Sequence, residues 1–123
     1  MAMFDTDVLI DHLLGKEGAT ETILKFKNTV NYCSVITIGE ILFGTRPPEK
    51  DKTFKLIDSL EPLDVNKKIV IDAYEIKNSY KGYKLELYDC IIAATAIESD
   101  LILVTKNSKH YPDKRLKLFI PEY

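Results

Sequence analysis

Residues 89–104 constrain this chain more than any other stretch. From Asp89 to Glu98, the residues Cys90, Ile91, Ile92, Ala93, Ala94, Ala96 and Ile97 spread apolar surface around almost the whole circumference of a helix. Such a helix has no polar face to turn to water and must be covered on most sides. Two residues later, 101–104 form an unbroken apolar run, the pattern of a strand covered on both faces. A buried helix feeding a buried strand requires layers on either side of a sheet. That points to the α/β class: a three-layer α/β/α sandwich on a mostly parallel sheet of four or five strands.

The rest of the chain alternates in keeping with that frame. Strand patterns fall at residues 1–5, 30–36, 63–65 and 116–120, the last alternating less cleanly and suiting an edge. Helical periodicity falls at 6–14, 18–28, 37–43 and 48–60, and again after Asn66, a helix N-cap ahead of the stripe Ile69, Ala73, Ile76 and Tyr80. Pro48 suits the first turn of its helix. No linker, repeat or low-complexity segment interrupts the 123 residues, which read as a single domain over 1–123.

Charge narrows the function. Seventeen Lys and Arg stand against nineteen Asp and Glu, a formal charge of −2, which excludes a strongly basic wrap around nucleic acid but leaves local basic patches open. Cys33 and Cys90 both lie in apolar runs and read as small buried hydrophobes in a reducing compartment. No apolar stretch is long enough for a bilayer span. The expectation is a soluble, cytoplasmic protein without a membrane partner.

Three acids stand where a carboxylate is costly. Asp5 ends the first strand in MFDTDVLI, Glu40 interrupts ITIGEILFG, and Asp89 opens the apolar helix in LYDCIIAATA. Each has a plainer reading: Asp5 as the N-cap of the helix at Thr6, Glu40 in a capping box with Thr37, Asp89 as a first-turn partner of backbone amides and the helix dipole. One shared site accounts for all three. Carboxylates gathered together need raised pKa values or a cation, and oxygen ligands without His or Cys point to Mg²⁺, with Mn²⁺ as a substitute, rather than zinc. Neither His12 nor His110 offers a zinc pattern. A divalent ion held this way suits the attack of water on a phosphodiester.

The start FDTDVLID, the GE of ITIGEI, the run YDCIIAATAI and the segment LVTKNSKHY, in that order, resemble the PIN-domain ribonucleases, and most nearly the VapC-like toxins of type II toxin–antitoxin modules. The likeness runs from Asp5 to about Tyr111. It implies Mg²⁺-dependent endonucleolytic cleavage of RNA by metal-activated water, and a cellular role in arresting growth or translation. It also implies a cognate antitoxin and a second copy of the chain as partners. By the match, Asp5, Glu40 and Asp89 fall on the family's metal-binding acids and Asn107 on a fourth catalytic position that is Asp in many members. Thr6 and Thr105 fall on supporting hydroxyl positions. Asn107 can ligate through its carbonyl but brings no negative charge, so three carboxylates and one well-held ion are expected.

Lys106, Lys109, His110, Lys114 and Arg115 cluster in sequence beside the proposed site, with Arg46 after the Glu40 helix; Lys106, Lys109, His110 and Arg46 are candidate contacts to RNA phosphates. Leu13, Leu14, Phe43 and Phe54 are candidates for an antitoxin groove. The rival readings are a phosphoacceptor receiver-type signalling domain, which would need Asp64 as its central acid, a DxD phosphatase suggested by FDTDVL alone, and a PIN-like domain that binds RNA or a partner without cutting.

Overall fold

A computed structural model describes residues 1–123. Five short parallel strands form its sheet: β1 (Ala2–Phe4), β2 (Asn31–Ser34), β3 (Glu61–Leu63), β4 (Ile102–Val104) and β5 (Lys117–Phe119), in the order β3-β2-β1-β4-β5. The six α-helices are α1 (Thr6–Leu13), α2 (Glu17–Leu24), α3 (Val35–Gly44), α4 (Lys50–Asp58), α5 (Lys67–Ser79) and α6 (Leu87–Glu98). Short 3₁₀ turns occupy Pro47–Glu49 and Ser108–His110. No helix is long and apolar enough to cross a membrane.

Alternation along the central strand divides the core in two. Met3 points to the α5–α6 layer and belongs to the same buried cluster as Ala73, Ile76, Ile92 and Leu103. Ala2 and Phe4 point to the α1–α4 layer, against Val8, Leu9, Ala19 and Ile41. The helix expected to be buried all round is so: α6 runs under the sheet with Cys90 to Ala96 inaccessible. The two cysteines lie on opposite faces, buried and unpaired.

Several boundaries differ from the sequence pattern, each for a local reason. α3 begins at Val35 rather than Thr37 because the Ser34 hydroxyl caps it, accepting from the Ile36 N–H at 3.1 Å. Glu40 is therefore the sixth helical residue, and the Thr37–Glu40 capping box does not form. β3 falls on Glu61–Leu63, earlier than expected; Pro62, lacking an N–H, is tolerated because β3 is an edge strand. α6 starts two residues early, which puts Asp89 third in the helix. His12 Nδ1 lies 2.7 Å from Thr20 Oγ1 and ties α1 to α2.

The strand order determines where a ligand can sit. The chain leaves β1 toward β2 on one side and returns on the other as β4, so the topological switch point lies between β1 and β4. Crevices at the carboxyl ends of such neighbouring strands are the natural binding positions of open parallel sheets.

Candidate active site

Asp5 follows β1 at that crevice. It is buried, 6% exposed, and its carboxylate is held from three directions. Oδ1 accepts from the Thr6 N–H at 2.8 Å, the N-cap bond of α1. Oδ2 accepts from the Thr105 hydroxyl, just past β4, and from the Tyr111 hydroxyl, both at 2.8 Å. The plainer reading of Asp5 as an N-cap is thus correct for one oxygen, while the other faces across the switch point.

Glu40 reaches the same place from α3. Its Oε1 accepts from the Thr6 hydroxyl at 2.8 Å, and Thr6 Oγ1 also lies 3.1 Å from Thr37 Oγ1. A hydroxyl has one proton to give, so with Thr6 donating to Glu40 it must accept from Thr37. Thr37 and Glu40 are three residues apart on one helical face, so the residue expected to cap Glu40's helix instead braces its site. Thr6 binds Asp5 through its backbone and Glu40 through its side chain, bridging the two acids.

Asp89 enters from the first turn of α6, its side chain 18% exposed. Its carboxyl is shifted above the usual range, first by burial, then by the charges of Asp5 and Glu40; His110 and the Glu86 backbone N–H oppose the shift. His110 Nδ1 lies 3.4 Å from Asp89 Oδ2. The candidate phosphate contact is therefore drawn to an acid.

Asn107 stands apart. Its backbone N–H donates to Thr105 Oγ1 at 3.1 Å and so steadies the loop, but its exposed side-chain amide makes no hydrogen bond to the three acids. Lys106 and Lys109 are exposed, and neither forms an ion pair. Arg46 is bound to Glu49 at 3.1 Å, in a reciprocal cap of the Pro47 turn. Arg115 pairs with Asp113 at 2.8 Å and faces Asp72 of α5, away from the acids.

Two residues of the site were not anticipated. Asp7 accepts from the Lys106 N–H at 3.0 Å and the Val8 N–H at 2.7 Å, and its carboxyl is pushed up to about 6 by burial and then by Asp5. The sequence signal was the second acid of FDTDVL. Tyr111 is buried, and burial followed by the Asp5 charge drives its phenol far above the usual range, so it remains a hydrogen-bond donor. Its place in a polar loop segment gives no hint of a partner 106 positions away.

The charge balance is one-sided. Of the seven ion pairs in the chain, none involves Asp5, Asp7 or Glu40, and Asp89 has only His110. No three His, Cys, Asp or Glu side chains stand close enough to form a ready-made ion cage. The gathering is electrostatic, without closure into a coordination shell. The donor set, all carboxylate oxygen with hydroxyl support and no thiolate, fits a hard divalent cation.

That imbalance has a pH consequence in divalent-free buffer. An aspartate that ionises near 3.8 when unfolded and at about 6 when folded stabilises the fold below about pH 4, and that contribution is lost as pH rises through about 6. Relative to the Asp7→Asn variant, the wild type is expected to lose on the order of 2 kcal/mol of stability across this window. Urea unfolding at a series of pH values measures it; parallel curves for the two chains would show that Asp7 is not desolvated.

Comparison with known proteins extends over nearly the whole chain. The PIN domain family model matches residues 2–113. Ribonuclease VapC10 of Mycobacterium tuberculosis is 31% identical over 115 residues, 91% of this chain and 86% of that protein. A toxin–antitoxin complex from Klebsiella pneumoniae contains a chain with a TM-score of 0.81 and 27% identity, covering 93% of this chain and 92% of that one. VapBC2 from Rickettsia felis, bound to a DNA fragment from its promoter, gives a TM-score of 0.84 at 22% identity and 97% coverage of both chains, a likeness of fold.

Proposed function

This chain belongs to the PIN domain family, and on that premise we propose that it is a metal-dependent endoribonuclease, the toxin of a toxin–antitoxin pair. The observation that carries this reading is the convergence of Asp5, Glu40 and Asp89 on the carboxyl edge of the sheet with no Lys or Arg to balance them. Acids expensive to bring together are retained where a bound cation and its substrate need them.

Asp5 and Asp89 would hold the ion, with Glu40 ligating directly or through water; Mg²⁺ is the proposed ion and Mn²⁺ its substitute. Bound there, such an ion supplies Lewis acidity, an acidified water and compensation of phosphate charge. The protein's own part is positional. Thr6 N–H, Thr105 and Tyr111 fix the Asp5 carboxylate in one orientation, so no reorganisation is needed when substrate arrives. Thr6, backed by Thr37, does the same for Glu40. One of the carboxylates takes the proton of the attacking water, the P–O3′ bond breaks in line, and the leaving O3′ takes up a proton from solvent, so that the products carry a 5′-phosphate and a 3′-hydroxyl. Asn107, uncharged, leaves the site with three ligating acids and one well-held ion.

Support for the antitoxin partner comes from the toxin–antitoxin complexes that this fold matches and from a groove of this chain. Ile10, Leu13 and Leu14 of α1 line it with Ile41 and Gly44 of α3, and Glu40 forms part of its wall. A helix seated there would lie next to the acids. Phe43, 98% exposed, stands on the adjoining face with Val35, Ile36 and Tyr88, a surface suited to a second copy. A cytoplasmic setting is part of the same proposal, since it would place the chain with cellular RNA and an antitoxin partner. The receiver reading is not favoured: Asp64 follows the edge strand β3, two strands from Asp5.

The decisive assay uses a mixed-sequence single-stranded RNA. Cleavage is expected to be at least about tenfold faster in Mg²⁺ than in EDTA and to return when Mg²⁺ is restored. Equal rates in EDTA would refute the metal requirement; RNA binding without cleavage would favour a non-cutting PIN-like domain.

A further inference from the structure

Lys106 sits at the junction of the site's two halves. The residue before it holds Asp5 through Thr105 Oγ1, and its own N–H holds Asp7. With its backbone anchored among uncompensated acids, its ammonium has every electrostatic reason to turn inward. It does not: Nζ lies 4.0 Å from the centroid of the Tyr123 ring and pairs with no carboxylate. That is well inside the distance at which a cation over an aromatic face is attracted.

Tyr123 is itself held in a shaped seat. Its hydroxyl donates to Asp11 Oδ2 at 2.7 Å, and Asp11 also pairs with Lys16 at 3.1 Å. Burial would raise the Asp11 carboxyl, but hydrogen bonds from Tyr123 and Lys16, with Lys106 nearby, leave it below its ordinary value. Gly18, in the first turn of α2, makes room for Tyr123: a Cβ there would overlap the Tyr123 Cβ and Cγ. Three separate elements, α1, α2 and the loop after β4, thus converge on one side chain.

We propose that Tyr123 is a positioning residue for Lys106, holding its ammonium beside the acids but off them, where it meets a backbone phosphate of the RNA. The proposal rests on the nuclease reading. A lysine stem has much rotamer freedom to lose on binding an anion, and the ring removes part of that loss beforehand. It also prevents the ammonium from neutralising the carboxylates that the metal ion requires.

Kinetics on single-stranded RNA test this with Lys106→Met, Tyr123→Leu, Tyr123→Phe and the double variant Lys106→Met/Tyr123→Leu. Lys106→Met is expected to raise KM about tenfold and to reduce the salt dependence of KM by about one counterion. Tyr123→Leu should raise KM about threefold, with the loss in KM rather than kcat, whereas Tyr123→Phe, which keeps the ring, should lose less. The double variant should be no worse than Lys106→Met alone. Independent losses that multiply in the double variant, or a loss confined to kcat, would overturn the positioning role. Should Tyr123→Leu fail to fold, the ε-methylene proton resonances of Lys106 in the wild type decide: a ring-current shift upfield of the other lysines supports the stack, and ordinary lysine shifts overturn it. A wild type that cleaves no RNA defeats the nuclease reading and this proposal with it; an active wild type with multiplying losses defeats this proposal alone.

Discussion

Asparagine in place of Asp5 is expected to slow RNA cleavage by roughly 1000-fold while leaving the protein folded. The first half follows from charge. Asp5 is the acid bound by the most partners, and losing its negative charge removes several kcal/mol of support for the cation and the transition state, which is roughly that factor in rate. The second half follows from the partners themselves. Asparagine is as good an N-cap as aspartate, so the bond from the Thr6 N–H survives. The Thr105 and Tyr111 hydroxyls, which now donate to Oδ2, can rotate to accept from the amide instead. Repulsion with Asp7 and Asp89 also disappears. Cleavage rates beside melting curves separate the two effects, and a variant with near-normal activity would remove Asp5 from the chemistry.

Truncating Phe4 to alanine is expected to cost about 3–5 kcal/mol, a large share of the roughly 5–15 kcal/mol that holds a domain of this size together. The ring is fully inaccessible. It meets Phe26 edge-on at 5.8 Å, and Phe26 meets Phe119 of β5 edge-on at 5.3 Å, each with planes at 87°. This chain of rings fastens the segment after α2 to the sheet, and such contacts add to the area buried. Rigid neighbours in two strands cannot collapse into the space left behind. The melting temperature should fall by roughly 10–20 °C. A loss below about 1 kcal/mol would mean that the site repacks. Because Asp5 is the next residue, cleavage should fail at the temperature where the fold does.

The sequence announced some parts of this molecule clearly and concealed others. α6 and β4 were unmistakable because apolar residues on all sides leave no alternative to burial. Asp5, Glu40 and Asp89 stood out for the converse reason, as charges set within such runs. Helix starts were less legible: Ser34 and Thr37 are both good caps, and which one wins depends on Thr37 having a better partner in Thr6. β3 was displaced because a proline argues against a strand until its edge position is known. Tyr111 was invisible, since a tyrosine in a polar loop acquires its role only from an aspartate at the far end of the chain. The basic run at 106–115 was misleading as a unit: folding sends Arg115 toward α5, His110 to Asp89 and Lys106 to Tyr123.

The hydroxyls that clamp Asp5 come from positions 105 and 111, after all three acids have been synthesised. A growing polypeptide that ends short of them has its carboxylates but orients the first through the Thr6 N–H alone, and its central strand lacks a docked β4 as a neighbour. Cutting power would then arrive abruptly, once the last strands dock, and a half-made copy would be harmless to the ribosome producing it.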